Sequence, residues 1–183
     1  MFRLSFALLA ASVATAASAN APVYNANISE ADVLAAQGAW CNALVAINRA
    51  GEEKGHAAAR QLAGEVLDAA YGYNLGPVLF KPTLAAPPQT FRTTRDGALA
   101  YFVGGDPAFK DDTGFALKGW TACRAENAAL HINGDVATSM GNVILTNKAG
   151  ELTPVDKPWT FKKGDDGKLR IVVHHSSLPY SAR

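Results

Sequence analysis

The stretch ALHINGDVATSMGNVILTNKAG, residues 129–150, carries a period-two pattern of apolar residues on both sides of an Asn-Gly pair. Period two is typical of a half-buried β-strand. Asn133-Gly134 favours a tight two-residue hairpin turn, because both turn positions need positive φ. The stretch therefore predicts two long antiparallel strands, over about 115–132 and 135–147.

Two further strands are predicted after this hairpin. The same pattern continues over about 152–163 and 168–176. A looser turn at 148–150 and a Gly-Asp-Asp-Gly turn at 164–167 separate the four strands. The second half of the chain is thus predicted to be an antiparallel meander.

Helices are predicted in the first half of the chain. Ser29 followed by Asp32 is a capping-box start, and the first helix is predicted to end at 49–51. A second helix is predicted over about 53–70. Its buried stripe is predicted to contain three apolar residues at helical spacing: Ala58, Leu62 and Val66.

A short strand and a third helix connect these two helices to the meander. The strand is predicted at 78–80, and the helix begins at Thr93 with Asp96 and ends at Gly104-Gly105. Helices followed by antiparallel strands predict an α+β fold with the helices packed on one face of the sheet. Because long strands twist and curl, we expect a cone-shaped barrel with an interior pocket.

The bulk composition fits a single globular domain. The chain has 183 residues, of which 49% are hydrophobic and 18% charged, with 17 Lys and Arg against 16 Asp and Glu. This balance leaves no basic excess to bind phosphates, so we expect no nucleic-acid partner. We expect one domain over 22–183.

The first residues have the features of a secretory signal peptide. Arg3 precedes a short apolar run, and small residues suited to cleavage follow near 19–21. We therefore expect residues 1–19 to be removed and the mature protein to be periplasmic or secreted, with no membrane association; an uncleaved anchor is the alternative. After export, Cys41 and Cys123 could form a disulfide or remain two buried thiols, and the pattern leaves both open.

The histidine pattern argues against a metal site. His174 and His175 are neighbours on a predicted strand, so their side chains point to opposite faces and cannot bind one ion. His56 lies in a polar helical context and is predicted to be exposed. No zinc-type His or Cys spacing is present in the sequence.

The last predicted strand ends in four polar residues, His174 to Ser177. On a regular strand His174 and Ser176 share one face with Val172, while His175 and Ser177 share the other. One His-x-Ser pair could therefore line the interior of the cone, or the strand could simply end in solvent. Thr83 and Tyr101 are further polar residues in apolar surroundings.

Three stretches, 72–109, 114–147 and 159–181, together resemble the iota-class carbonic anhydrases. The resemblance covers nearly all of the chain after residue 20, and the ending HHSS is a signature of that family. It implies the cone-shaped α+β barrel of nuclear transport factor-like and SnoaL-like proteins, which is related to the association domain of calcium/calmodulin-dependent kinase. It also implies reversible hydration of carbon dioxide to bicarbonate.

The resemblance implies a set of site residues. Thr83, Tyr101 and Ser176 correspond to the groups that hold bicarbonate, with His174 beside them, which selects His174 and Ser176 as the inward pair. We hypothesise that His174 accepts the proton of the attacking water, with Tyr101 or a hydroxyl relay as the alternative. Apolar neighbours are expected to accept carbon dioxide: Phe80, Phe102 and Val172.

Cofactors and partners follow from the same resemblance. No cofactor is expected, although zinc or manganese is described for some family members. Packing between sheets predicts a homodimer. The alternative functions are a non-catalytic SnoaL-like module for small-molecule binding or oligomerisation, and a steroid isomerase-like enzyme, which would need an acidic base inside the cone.

Overall fold

The computed structural model of the protein describes residues 25–181, so the expected signal peptide at 1–19 lies outside the described residues. Within that range, none of the helices has the length and apolarity needed to cross a membrane. The fold is α+β, as predicted. Its α-helices and strands are α1 Glu30–Lys54, α2 His56–Ala70, β1 Leu79–Lys81, α3 Arg95–Val103, β2 Trp120–Asn133, β3 Val136–Asn147, β4 Leu152–Asp156, β5 Trp159–Lys163 and β6 Leu169–His175.

The first helix begins at the predicted capping box but ends later than predicted. Ser29 Oγ accepts the N–H of Asp32 at 3.2 Å, and Asp32 accepts the N–H of Ser29 at 2.9 Å. The helix continues through Gly51 and ends at Gly55, whose φ is 85°. Gly51 is a packing residue, because a Cβ there would lie 2.9 Å from Leu117.

The other two helices differ from prediction by one to three residues. α2 begins at His56, not 53, and its buried side is displaced by one residue from the predicted stripe: Ala59, Ala63, Gly64 and Leu67. These mostly small residues allow close approach to neighbouring elements, while the larger Leu62 and Val66 are only partly buried. Thr94, not Thr93, caps α3, since its side chain accepts the N–H of Gly97.

The sheet contains six strands in the order β1-β6-β5-β3-β2, with β4 beside β3. β1 pairs with β6 in parallel, and the other pairs are antiparallel. The single strand predicted over 152–163 is wrong, because the chain breaks at Lys157-Pro158 into β4 and β5. Proline lacks the N–H that a continuous ladder needs. β4 pairs with the second half of β3 and β5 with its first half.

A β-bulge opposite Gly141 bends the long hairpin. The pairing of β2 with β3 shifts between Asn127 and Ala129, and bulges of this kind increase strand twist. A Cβ on Gly141 would contact Glu126 O and lie 2.8 Å from Asn127 Cα. The carbonyl of Gly141 accepts the N–H of Lys157 at 2.8 Å, which ties the bulge to the break between β4 and β5.

We expect Gly141→Ala to destabilise the protein by about 1–3 kcal/mol, because the added methyl group meets rigid backbone atoms. Gly38→Ala is the matched control. Gly38 lies inside α1, where nothing stands within 4 Å of a new Cβ, so this change is expected to stabilise by roughly 0.5–1 kcal/mol. Urea unfolding measures both, and equal effects would contradict the assigned role of the bulge.

A disulfide joins α1 to the sheet. Cys41 on α1 and Cys123 on β2 are bonded, with their Cα atoms 5.1 Å apart. Of the two alternatives left open by the sequence, pairing is therefore the one found. The bond closes a sequence separation of 82 residues and lies next to Trp40, which is part of the site described below.

Candidate active site

The site forms where the ends of β1 and β6 lie side by side. Lys81 pairs with His175 in the parallel register, and the N–H of Ser176 donates to the carbonyl of Lys81 at 2.9 Å. This pairing places the segment that leads to Thr83 next to the segment that carries His174 and Ser176. The polar ending of β6 therefore lies against protein, with His174 2% and Ser176 0% exposed.

A β-bulge in β6 shows that the prediction of which side chains share a face with His174 was wrong. Val173 pairs with Thr160 and Ile171 with Phe161, which leaves Val172 as the extra residue of the strand. Consequently Ile171 is buried on the side of His174, and Val172 does not share that face as predicted. The Val172 side chain is half-buried and lies beside Gly72, 3.0 Å from the position of a Cβ there.

Aromatic rings surround the imidazole of His174. Its ring centroid lies 4.2 Å from that of Phe80, 5.6 Å from Trp40, 5.8 Å from Tyr71 and 6.1 Å from Trp159. Burial holds the pKa of His174 well below its ordinary value, and the neighbouring Lys157 acts in the same direction. The imidazole is therefore neutral at neutral pH.

A hydrogen-bonded chain holds the other nitrogen of this imidazole. Trp40 Nε1 donates to the Tyr71 hydroxyl at 2.9 Å, and this hydroxyl lies 2.8 Å from His174 Nδ1. Burial raises the pKa of Tyr71, so it retains its proton. Because the indole only donates, the Tyr71 proton is available to Nδ1, which leaves Nε2 to carry the imidazole proton.

Lys157 extends into the same cluster from the break between β4 and β5. Its Nζ contacts His174 Nε2 and lies 2.6 Å from Ser176 Oγ. It also lies over the rings of Trp40 and Trp159, at 4.5 and 5.2 Å from their centroids. The residue is 4% exposed, and this burial lowers the pKa of the amine well below its usual value.

Thr83 and Tyr101 form a second group of hydroxyls next to this cluster. The Tyr101 hydroxyl accepts the N–H of Leu84 at 3.3 Å and interacts with Thr83. Burial raises the pKa of Tyr101, so it remains a proton donor. Phe80 connects the two groups, since its ring meets the edge of Tyr101 at 5.7 Å and also contacts His174.

The structure thus places most of the predicted site residues in one region. His174 and Ser176 are in direct contact, with Nε2 and Oγ 3.1 Å apart, and Tyr101 packs on Phe80 and interacts with Thr83. Phe102 stacks on Phe80 at 5.8 Å, while Val172 lies away on the other side of its strand. The arrangement combines buried neutral bases, hydroxyl donors and apolar walls.

Sequence reasoning missed Lys157, Tyr71 and Trp40. A signal for Lys157 was present in VDKPW, because a lysine before proline inside an apolar strand pattern marks a break whose polar residue needs an explanation. Tyr71 and Trp40 carried no comparable signal, since aromatic residues at helix positions are usually packing residues.

Among residues 25–181, no group of three or more His, Cys, Asp or Glu side chains is arranged to hold a metal ion. His56 is exposed as predicted, and its Nε2 lies 2.8 Å from the carbonyl of Val103.

Comparisons with known proteins agree with this geometry. The family model of metal-independent carbonic anhydrases matches residues 31–178. A metal-independent carbonic anhydrase of Nostoc sp. (strain PCC 7120 / SAG 25.82 / UTEX 2576) is 58% identical over 168 residues, which cover 92% of this chain and 82% of that protein.

Two solved structures are also similar. The crystal structure of an iota-carbonic anhydrase from a cyanobacterium, complexed with bicarbonate, has a TM-score of 0.88 and 59% identity over 90% of this chain and 100% of that one. A calcium/calmodulin-dependent protein kinase II association domain from Xanthomonas campestris shares the fold, with a TM-score of 0.53 and 21% identity over 88% and 95% of the two chains. The chain belongs to the iota-class, metal-independent carbonic anhydrase family.

Proposed function

We propose that the pocket at the ends of β1 and β6 catalyses the reversible hydration of carbon dioxide to bicarbonate and a proton. The observation that carries this proposal is the buried contact of His174, Ser176 and Lys157 beside the hydroxyls of Thr83 and Tyr101. The related iota-carbonic anhydrase with bound bicarbonate supports the choice of substrate.

The chemical step needs a water whose proton is removed as it attacks. A lone pair of the water oxygen forms the new bond to carbon, and one C–O π pair of carbon dioxide moves onto oxygen. The Ser176 hydroxyl holds this water and lies 2.6 Å from Lys157 Nζ and 3.1 Å from His174 Nε2, so the proton passes through Ser176 into this buried cluster. Phe80 and Phe102 form apolar walls that suit the uncharged substrate.

Tyr101 and Thr83 are assigned to the oxygens of carbon dioxide, where negative charge develops. The Tyr101 hydroxyl already accepts a backbone N–H, which leaves its own proton free to donate. Fixed donors aimed at developing charge stabilise a transition state, as an oxyanion hole does. Because its pKa is raised, Tyr101 is assigned as a donor and not as the proton acceptor.

We propose that this reaction needs no metal cofactor. The cluster at the ends of β1 and β6 offers hydroxyls, one imidazole and one amine, and residues 25–181 contain no group of three or more side chains arranged to hold a metal ion. The family description supports the same conclusion.

Hydration of carbon dioxide by purified protein, freed of metal by chelation and checked by mass spectrometry, tests the function. We expect activity in the stripped protein and a loss of about 10²–10³-fold in Thr83→Val, because one hydroxyl donor is removed. Thr90→Val, on the loop after Thr83, is the control and should retain activity. Activity that follows metal content, or an inactive wild type, would refute the proposal.

We further propose that the protein is exported after removal of residues 1–19 and acts in the periplasm or outside the cell. The Cys41–Cys123 disulfide supports this, since such bonds persist in oxidising compartments. Mass spectrometry of the amino terminus in a periplasmic fraction tests it, and an intact leader in the cytoplasm would contradict it.

A homodimer is proposed as the working assembly. Two exposed apolar residues on β3 and β4, Met140 at 62% and Leu152 at 59% exposure, support a packing surface on the sheet. Light scattering after size-exclusion chromatography tests the assembly, and a monomer mass at micromolar concentration would contradict it.

A further inference from the structure

Lys157 is buried with no compensating anion. None of the ion pairs formed by residues 25–181 includes it. The preceding Asp156 accepts the side-chain N–H of Asn142 at 2.9 Å. Lysine is almost never fully buried unless it is paired, because a bare ammonium in an apolar site is costly.

The amine of Lys157 faces side chains from three neighbouring elements. β6 contributes His174 and Ser176, α1 contributes Trp40, and β5 contributes Trp159. The titratable groups next in contact are Tyr71, which is bonded to His174, and the half-buried Lys81, whose amine donates to the Ser176 carbonyl at 2.8 Å. The Trp40 and Trp159 rings can stabilise an ammonium ion by cation–π interaction, but all of these groups are neutral or positive, and none supplies a negative charge to Lys157.

We propose that Lys157 is a catalytic residue whose amine is neutral while carbon dioxide is bound, accepts the proton of the attacking water, and then pairs as an ammonium ion with the bicarbonate. This inference rests on the proposed function and names the group that holds the proton. It makes the pocket electrically neutral before and after the reaction, because a cation and an anion form together.

The proton has a continuous path in this cluster. In the neutral amine the Nζ lone pair accepts the Ser176 hydroxyl proton over the 2.6 Å contact, and Ser176 Oγ receives a proton from the water in the same step. The O–H bond of the water breaks as its oxygen bonds to carbon. When bicarbonate leaves, the ammonium returns the proton to solvent buffer.

Lys157 is a stronger acceptor than its neighbour. Both groups are fully enclosed, so both lose basicity through desolvation. Nδ1 of the neutral imidazole faces the Tyr71 hydroxyl and Nε2 carries its proton, so His174 has no free lone pair, whereas the neutral amine has one facing Ser176. His174 then acts as a positioning residue: Tyr71 holds its Nδ1, and its Nε2–H is directed at Ser176 Oγ, 3.1 Å away, which orients the Ser176 hydroxyl towards the amine.

Rate measurements on Lys157→Met test the catalytic role. We expect a loss of about 10²–10⁴-fold in kcat/KM, as for removal of a general base. In the wild type kcat/KM should rise with pH as the amine loses its proton and then level off, and this inflection should vanish in the variant. Lys162→Met, which removes an exposed lysine on β5, should keep the wild-type rate and profile.

Lysine NMR on the wild type tests the charge change directly and needs no variant to fold. With 13C,15N-lysine, the Lys157 signal is expected at amine shifts at mildly alkaline pH and at ammonium shifts after bicarbonate is added. A signal that stays charged or stays neutral would overturn the inference, as would an unchanged rate in Lys157→Met. In either case, carbon dioxide hydration by the wild-type protein would still support the proposed function.

Discussion

Replacing Ser176 by alanine is expected to lower kcat/KM for carbon dioxide hydration by about 10²–10³-fold, as for loss of a transition-state hydrogen-bond group. Ser176 Oγ lies 2.6 Å from Lys157 Nζ and 3.1 Å from His174 Nε2. Its removal interrupts the path between the attacking water and Lys157.

Ser177→Ala is the matched control for this prediction. Ser177 is the next residue, is half-buried, and exchanges backbone hydrogen bonds with Asp156 that do not involve its side chain. It should therefore keep the wild-type rate. Stopped-flow hydration assays of both variants, with circular dichroism to establish folding, measure the difference. Equal rates for the two folded variants would place the reaction elsewhere.

Replacing Lys157 by methionine is expected to stabilise the protein while it lowers activity. Methionine has a similar length and no polar hydrogen, so the variant avoids the cost of burying the amine, which is about 1–3 kcal/mol for an incompletely compensated polar group. The Met side chain would also retain contact with Trp40 and Trp159, since thioethers pack well against aromatic rings. Urea unfolding with the disulfide intact measures this gain.

The increase in unfolding free energy caused by Lys157→Met is expected to depend on pH. The pKa of Lys157 is lowered on folding, so between the folded value and 10.5 the unfolded chain binds more protons than the folded one. The lysine's contribution to stability is therefore complete above pH 10.5 and is lost as the pH falls towards the folded pKa. The advantage of Lys157→Met over the wild type should grow as the pH falls through this window.

Lys162→Met provides the stability control. Lys162 pairs with Asp135 at 2.9 Å on the surface, where such pairs contribute about 0–1 kcal/mol. Its effect should be small at every pH. A Lys157→Met protein that is less stable than the wild type at every pH would show that the surrounding residues stabilise the buried lysine. This result would contradict the argument that burial disfavours its charged form.

Much of the fold was predictable because its signals are local. The Ser29–Asp32 capping box, the Asn133-Gly134 hairpin and the glycine end of α3 each depend on residues within a few positions of one another. Element boundaries were less accurate. Gly51 resembles a helix end in sequence, but its actual role is to accommodate Leu117 from a distant segment.

For the site, too, only some of the predictions made from the sequence agree with the structure. The resemblance to the family predicted Thr83, Tyr101, His174 and Ser176 as site residues, and the structure brings these four residues to one region. The strand-face argument for Val172 was wrong because one extra residue in β6 reverses the alternation of side chains. Strand alternation is reliable only for a regular ladder, and a bulge depends on the partner strand.

The amino-acid sequence by itself determined the α+β class and the succession of helices followed by an antiparallel meander, and its resemblance to the family predicted four polar residues as site residues. Only the tertiary structure decided that Cys41 meets Cys123, that Tyr71 holds His174, and that Lys157 is enclosed beside Ser176. The physical reason is that propensity and periodicity act over a few residues. Burial and pKa, in contrast, depend on groups that only the folded chain brings into contact.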